Sequence, residues 1–85
     1  MTKVAFVIVT FNGSPWIEKC LNSAKNKGSI IIVDNASTDQ TISIIKQSGV
    51  PVTLLENSDN LGFGQANNIG IKRALDLNYS HIFLL

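Results

Sequence analysis

The chain has 85 residues, a formal net charge of +1 and a hydrophobic content of 45%. Charged residues make up 15%, too hydrophobic a balance for a disordered segment and too even a one for a nucleic-acid-binding surface. The single cysteine, Cys20, excludes an internal disulfide, and the longest apolar run, residues 4–9, is too short to span a bilayer. One small domain, or part of a larger one, is expected, soluble, reduced and cytoplasmic.

Four strand-like runs alternate with three helical patterns. Residues 4–10 form a continuous, largely β-branched run, which predicts a first strand buried on both faces. Pro15 suits a first helical turn, and Trp16, Ile17, Cys20, Leu21 and Ala24 then recur at helical spacing. That spacing puts Trp16 and Cys20 on the packed face. A second strand is predicted over 29–33, stopping at Asp34 and Asn35. Ser37 and Gln40 have the separation of a capping box, opening a helix with Ile42, Ile44 and Ile45 that Gly49 and Pro51 end. Residues 52–56 read as the third strand. The third helix is predicted over 64–78, where Ala66, Gly70 and Ala74 make a narrow stripe fit for close packing on a sheet. Residues 81–85 read as a fourth strand, with His81 expected in the core. This βαβαβαβ alternation predicts an α/β fold with a parallel sheet and right-handed crossovers.

The last strand ends on three apolar residues, Phe83, Leu84 and Leu85. A central strand with nothing to cover it is rare, so the chain is expected to be the N-terminal part of a longer protein. Its bare edge is expected to favour self-association of the fragment.

In a parallel sheet the loops after strands one, two and three emerge at one edge, where such folds bind ligands. Here they comprise residues 10–13, 34–39 and 57–64. Four of the six acidic residues (Asp34, Asp39, Glu56 and Asp59) fall on this rim, and no Lys or Arg does. Carboxylates, amides and one aromatic suit hydroxyls, a base edge or a cation. A bare phosphate would need a bridging divalent metal. Plainer roles compete for the same residues. Asp39 suits a helix start, Asn35, Asn57 and Asn60 are common turn formers, and Gly62 and Gly64 suit left-handed backbone. Phe11 suits the core. Asp34 is harder to dismiss, because turning does not need an acid directly after a buried strand.

Three other readings fail on specific residues. A dinucleotide-binding turn needs several glycines after strand one, and only Gly13 stands there, although Asp34 lies about 20 residues on, where a ribose-binding acid belongs. No Walker A lysine motif exists. A phospho-receiver site would want acids where Thr10, Phe11 and Asn12 stand.

Three segments together carry a resemblance. They are Val7-Ile8-Val9-Thr10-Phe11-Asn12, Ile32-Val33-Asp34-Asn35-Ala36-Ser37-Thr38-Asp39 and Asn60-Leu61-Gly62-Phe63-Gly64-Gln65-Ala66-Asn67-Asn68-Ile69-Gly70. In this order and spacing the chain resembles a family 2 glycosyltransferase, and its third segment the rhamnosyltransferase-like branch. The resemblance covers essentially all 85 residues. It implies that residues 1–85 are the nucleotide-binding part of a GT-A domain, its Rossmann-like N-terminal half. It implies transfer of a sugar from a nucleotide-diphosphate sugar to a saccharide or other hydroxyl acceptor. By position, Thr10 and Phe11 would flank the base, Phe11 offering a stacking face, and Asp34 would accept a hydrogen bond from it. Asn12, Asn35, Asp39, Asn60, Gly62 and Asn68 would belong to the same nucleotide site.

In such enzymes the fourth strand leads into an acidic motif that holds Mg²⁺ or Mn²⁺ against the diphosphate. That motif, and the catalytic base, would lie beyond Leu85. No catalytic or metal-ligating residue is therefore expected within the chain, and the fragment alone is expected to be inactive. The parent would be cytoplasmic or sit at the inner face of the membrane. Two other readings stay open, a non-catalytic nucleotide-binding module and a structural remnant without a ligand.

Overall fold

Strands separated by helical stretches pair most simply as parallel neighbours joined by crossovers, and the computed structural model, which describes residues 3–85, has that arrangement. Its elements are β1 (Val4–Thr10), α1 (Ile17–Ala24), β2 (Ser29–Asp34), α2 (Thr41–Gln47), β3 (Val52–Glu56), α3 (Phe63–Asp76) and β4 (His81–Leu84). The four strands form one sheet in the order β3-β2-β1-β4, with every pairing parallel.

Side-chain alternation divides the core between the two faces of this sheet. Ile8, Ile30 and Ile32 meet Ile17, Leu21 and Ala24 of α1 and Ile45 of α2. On the other face Ala5, Val7 and Ile31 meet Ala74 of α3. The narrow stripe of α3 explains how closely that helix can lie. A Cβ at Gly70 would collide with Val7 Cγ1 and come within 3.2 Å of Val33 Cγ2. Only a glycine fits there.

Burial on both faces belongs to β2, buried from Ile30 to Asp34, rather than to β1 as expected. In β1, Val4, Phe6 and Val9 are only half-buried. Phe6 instead stacks on Phe83 of β4, with ring centroids 5.6 Å apart. β4 itself forms an edge beside β1 among the described residues, where a central strand was expected.

Three local expectations are corrected. α1 begins at Ile17, so Pro15 and Trp16 lie in the preceding turn, where Trp16 N and Ile17 N both donate to Gly13 O. Trp16 consequently lies over Gly13, partly exposed, and not in the core. The capping box does not form. α2 starts at Thr41 without a side-chain cap, because the Ser37 hydroxyl has a stronger partner elsewhere. His81 is exposed, with Nδ1 3.1 Å from Ser80 Oγ. Cys20 does pack against the α1 side of the core as expected, and burial pushes its thiol pKa up.

Register sets the site. The last residues of three strands, Thr10, Asp34 and Glu56, stand side by side at the carboxyl edge. The chain steps outward from β1 to β2 and β3, then returns across the sheet to place β4 on the other side of β1. The switch point, where ligands of such sheets bind, thus lies beyond the end of β1.

Candidate functional site

Asp34 ends the most buried strand and is itself only 2% exposed. A carboxylate can remain at such a position only if donors surround it. Oδ1 accepts from Thr10 Oγ1 at 2.5 Å and from Ser37 Oγ at 2.6 Å, while Oδ2 accepts from Ser37 N at 2.8 Å. Ala36 makes the last of these bonds reachable by adopting a left-handed φ of 63°, uncommon for a residue with a Cβ. Three of roughly four acceptor positions on the carboxylate are thereby filled from within the chain. One is left for a base.

A second bracket joins the loop after β1 to the loop after β2. Asn12, also left-handed with φ of 52°, accepts at Oδ1 from Thr38 N at 2.8 Å and Asp39 N at 3.2 Å. Its own N–H donates to Ser37 Oγ at 2.8 Å. Gly13 N donates to Thr41 Oγ1 and Ser14 N to Asp39 Oδ2, tying the approach to α1 onto the start of α2. Asp39 Oδ1 accepts from both Thr41 N and the Thr41 hydroxyl.

The Thr41 hydroxyl bond, chief among these, holds the Asp39 carboxyl at about 2, below its ordinary 3.8. A depressed pKa means that the bracket is intact above the ordinary value and is lost as pH falls through the folded one. The amide signals of Ser14 and Thr41 should therefore titrate together near pH 2. A midpoint near 3.8 would show that the bonds to Asp39 do not hold in solution.

Asn35 supplies the third bracket. Its Nδ2 donates to Gly62 O at 3.1 Å, and its Oδ1 accepts from Asn57 Nδ2 at 2.9 Å and Leu61 N at 3.4 Å. Asn60 Oδ1 accepts from Gly62 N at 2.9 Å, which helps set the left-handed Gly62 (φ 83°) that opens α3. All three loops are thus cross-linked by side-chain amides and carboxylates.

Thr10, Asn12, Asp34, Asn35, Asp39, Asn60 and Gly62 are brought together by these bonds. Asn68 stands apart, exposed on α3. Glu56 is exposed and faces Lys46 of α2 at 3.7 Å, so a lysine does reach the rim from outside the loops. Phe11 is 49% exposed, which settles its role against the core. Phe63, in the first turn of α3, is 65% exposed and Leu61 also lies open. Sequence reasoning passed over both, although an aromatic between two glycines at a helix start has little reason to be there for packing. It also passed over Ser37 and Thr41 as the partners of Asp34 and Asp39. Deeper in α3, Asn67 is buried with Oδ1 unpaired among the described residues, an acceptor that wants water or a ligand donor.

The donor set does not fit a metal. Among the described residues no three His, Cys, Asp or Glu side chains cluster, and the Asp34 and Asp39 oxygens already serve chain donors. What the rim offers a ligand is two open phenyl rings beside a rigid frame of amides, a chemistry suited to a planar, hydrogen-bonding group.

Comparison with known proteins agrees with this chemistry. The family described as Glycosyl transferase family 2 matches residues 5–77. An uncharacterized glycosyltransferase of Rickettsia prowazekii is 43% identical over 53 residues, covering 61% of this chain and 18% of its own. A poly(ribitol-phosphate) β-N-acetylglucosaminyltransferase of Staphylococcus aureus is 30% identical over 84 residues, covering 87% of this chain and 14% of its own. The glycosyltransferase SunS of Bacillus subtilis is 50% identical over 40 residues, 46% of this chain and 10% of its own. The chain therefore spans less than a fifth of the length of these relatives. No helix among the described residues is long and apolar enough to cross a membrane.

Proposed function

The chain belongs to glycosyl transferase family 2, and from that premise we propose that it forms the nucleotide-binding part of a longer enzyme that transfers a sugar from a nucleotide-diphosphate donor to an acceptor hydroxyl. The carrying observation is the exposure of the Phe11 ring at the switch point, beside loops whose polar groups are bonded to one another. An exposed phenyl ring on a frame that needs no further internal partners is a surface for stacking a base.

In this reading Phe11 takes the base face, and the frame around Asp34, Asn12 and Asn35 holds the ring in place. The one acceptor position left on Asp34 favours a base with an N–H at its edge, as in uridine or thymidine. The divalent cation that accompanies the diphosphate would take its ligands outside these 85 residues, as would the general base. The rhamnosyltransferase-like branch rests on residues 60–70 alone. The sugar named for the S. aureus relative is N-acetylglucosamine, so the donor sugar is a separate question.

Titration with uridine, thymidine, cytidine and guanosine diphosphates tests the reading. Saturable binding is expected, tighter for the first two than for the cytidine analogue, whose N3 carries no proton. Failure of all four to bind the longer protein would leave the family assignment standing and remove this site from it.

A further inference from the structure

The Asn12 side chain is only half used. Its Oδ1 accepts from Thr38 N, Thr38 Oγ1 and Asp39 N, at 2.8, 3.3 and 3.2 Å. Backbone N–H groups can only donate, so the oxygen must be the atom that faces them and the amide cannot be flipped. The planar amide then carries Nδ2 away from the Thr38–Asp39 backbone. Asn12 is exposed, next in sequence to the open Phe11 ring, and its Nδ2 has no protein partner among the described residues. Two oriented N–H donors are left at the switch point.

We propose that Asn12 is a specificity-determining residue with two separate tasks: Oδ1 fixes the loop after β2, and Nδ2 donates to an oxygen of the bound nucleotide. This deepens the nucleotide-site reading and rests on it. The acceptor is either a phosphate oxygen or a base carbonyl, which share the chemistry of an oxygen lone pair.

The two tasks can be separated by substitution. Asn12→Asp keeps an oxygen for Thr38 and Asp39 and tolerates the left-handed backbone, but replaces the donor with an acceptor. Asn12→Gly suits the same backbone and removes both atoms. Isotope-labelled wild type, Asn12→Asp and Asn12→Gly are titrated with the four nucleoside diphosphates and the matching nucleosides.

In wild type the Asn12 side-chain NH₂ signals, identified by their absence from the variant spectra, should move on saturation. Asn12→Asp should leave the Thr38 and Asp39 amides protected and weaken diphosphate binding roughly ten- to hundred-fold if the acceptor is charged. A similar loss for nucleoside and diphosphate marks a base carbonyl, and a loss confined to the diphosphate marks a phosphate. Asn12→Gly should weaken binding and also expose the Thr38 and Asp39 amides to exchange. Wild-type binding that leaves the Asn12 NH₂ signals unmoved overturns this inference alone. No binding by wild type to any of the probes overturns the site reading with it.

Discussion

Replacing Asp34 with alanine is expected to lower the stability of the chain by about 3–5 kcal/mol, because three bonds to a buried carboxylate vanish together. Thr10 is fully buried, so its hydroxyl would be left without a partner and without water. A domain of this size has a total stability on the order of 5–15 kcal/mol, and such a loss removes a large share of it. Asp34→Asn should cost less, since one oxygen can still receive the two hydroxyls while the amide nitrogen opposes Ser37 N. Urea unfolding of the two variants against wild type gives the order. An alanine variant within about 0.5 kcal/mol of wild type would show that the carboxylate does not hold the loops together.

Phe11→Ala should behave in the opposite way. The ring is half exposed, so stability should stay within about 0.5 kcal/mol of wild type. Stacking of a base on an aromatic ring is worth about 1–3 kcal/mol, which makes the expected loss of nucleotide affinity roughly five- to hundred-fold. Phe11→Leu keeps apolar area but no aromatic face, and should recover only part of the loss. Calorimetric titration and thermal unfolding of the same samples separate the two effects. Reduced stability with unchanged affinity would return Phe11 to a packing role.

The contrast between these two residues shows how far the sequence could be read. Strand positions were legible because each run is short, apolar and punctuated, and the narrow stripe at Ala66, Gly70 and Ala74 named the close-packed face of α3 correctly. The rim residues were legible too, since parallel topology gathers the loops after three strands at one edge. Their partners were not. Ser37 has the local spacing of a capping box, but its hydroxyl goes to Asp34, three residues back, which also receives Thr10 from 24 residues away. Strand register decides that choice, and no local pattern reports it. Trp16 illustrates the same limit, because its helical spacing is real but the turn at Gly13 delays the helix until Ile17. His81 falls on a strand whose edge position leaves it exposed, which depends on where β4 joins the sheet.

The central claim is that the carboxyl rim of this sheet holds a nucleoside diphosphate, and amide shift mapping at saturation tests it most directly. The largest shifts are expected at Phe11, Asn12, residues 34–39 and residues 60–64, around the three brackets. The opposite edge carries a groove lined by Lys25, Gly28, Thr53 and Tyr79, and its amides should stay where they are. Shifts concentrated at that groove, with the rim unmoved, would contradict the assignment of the site.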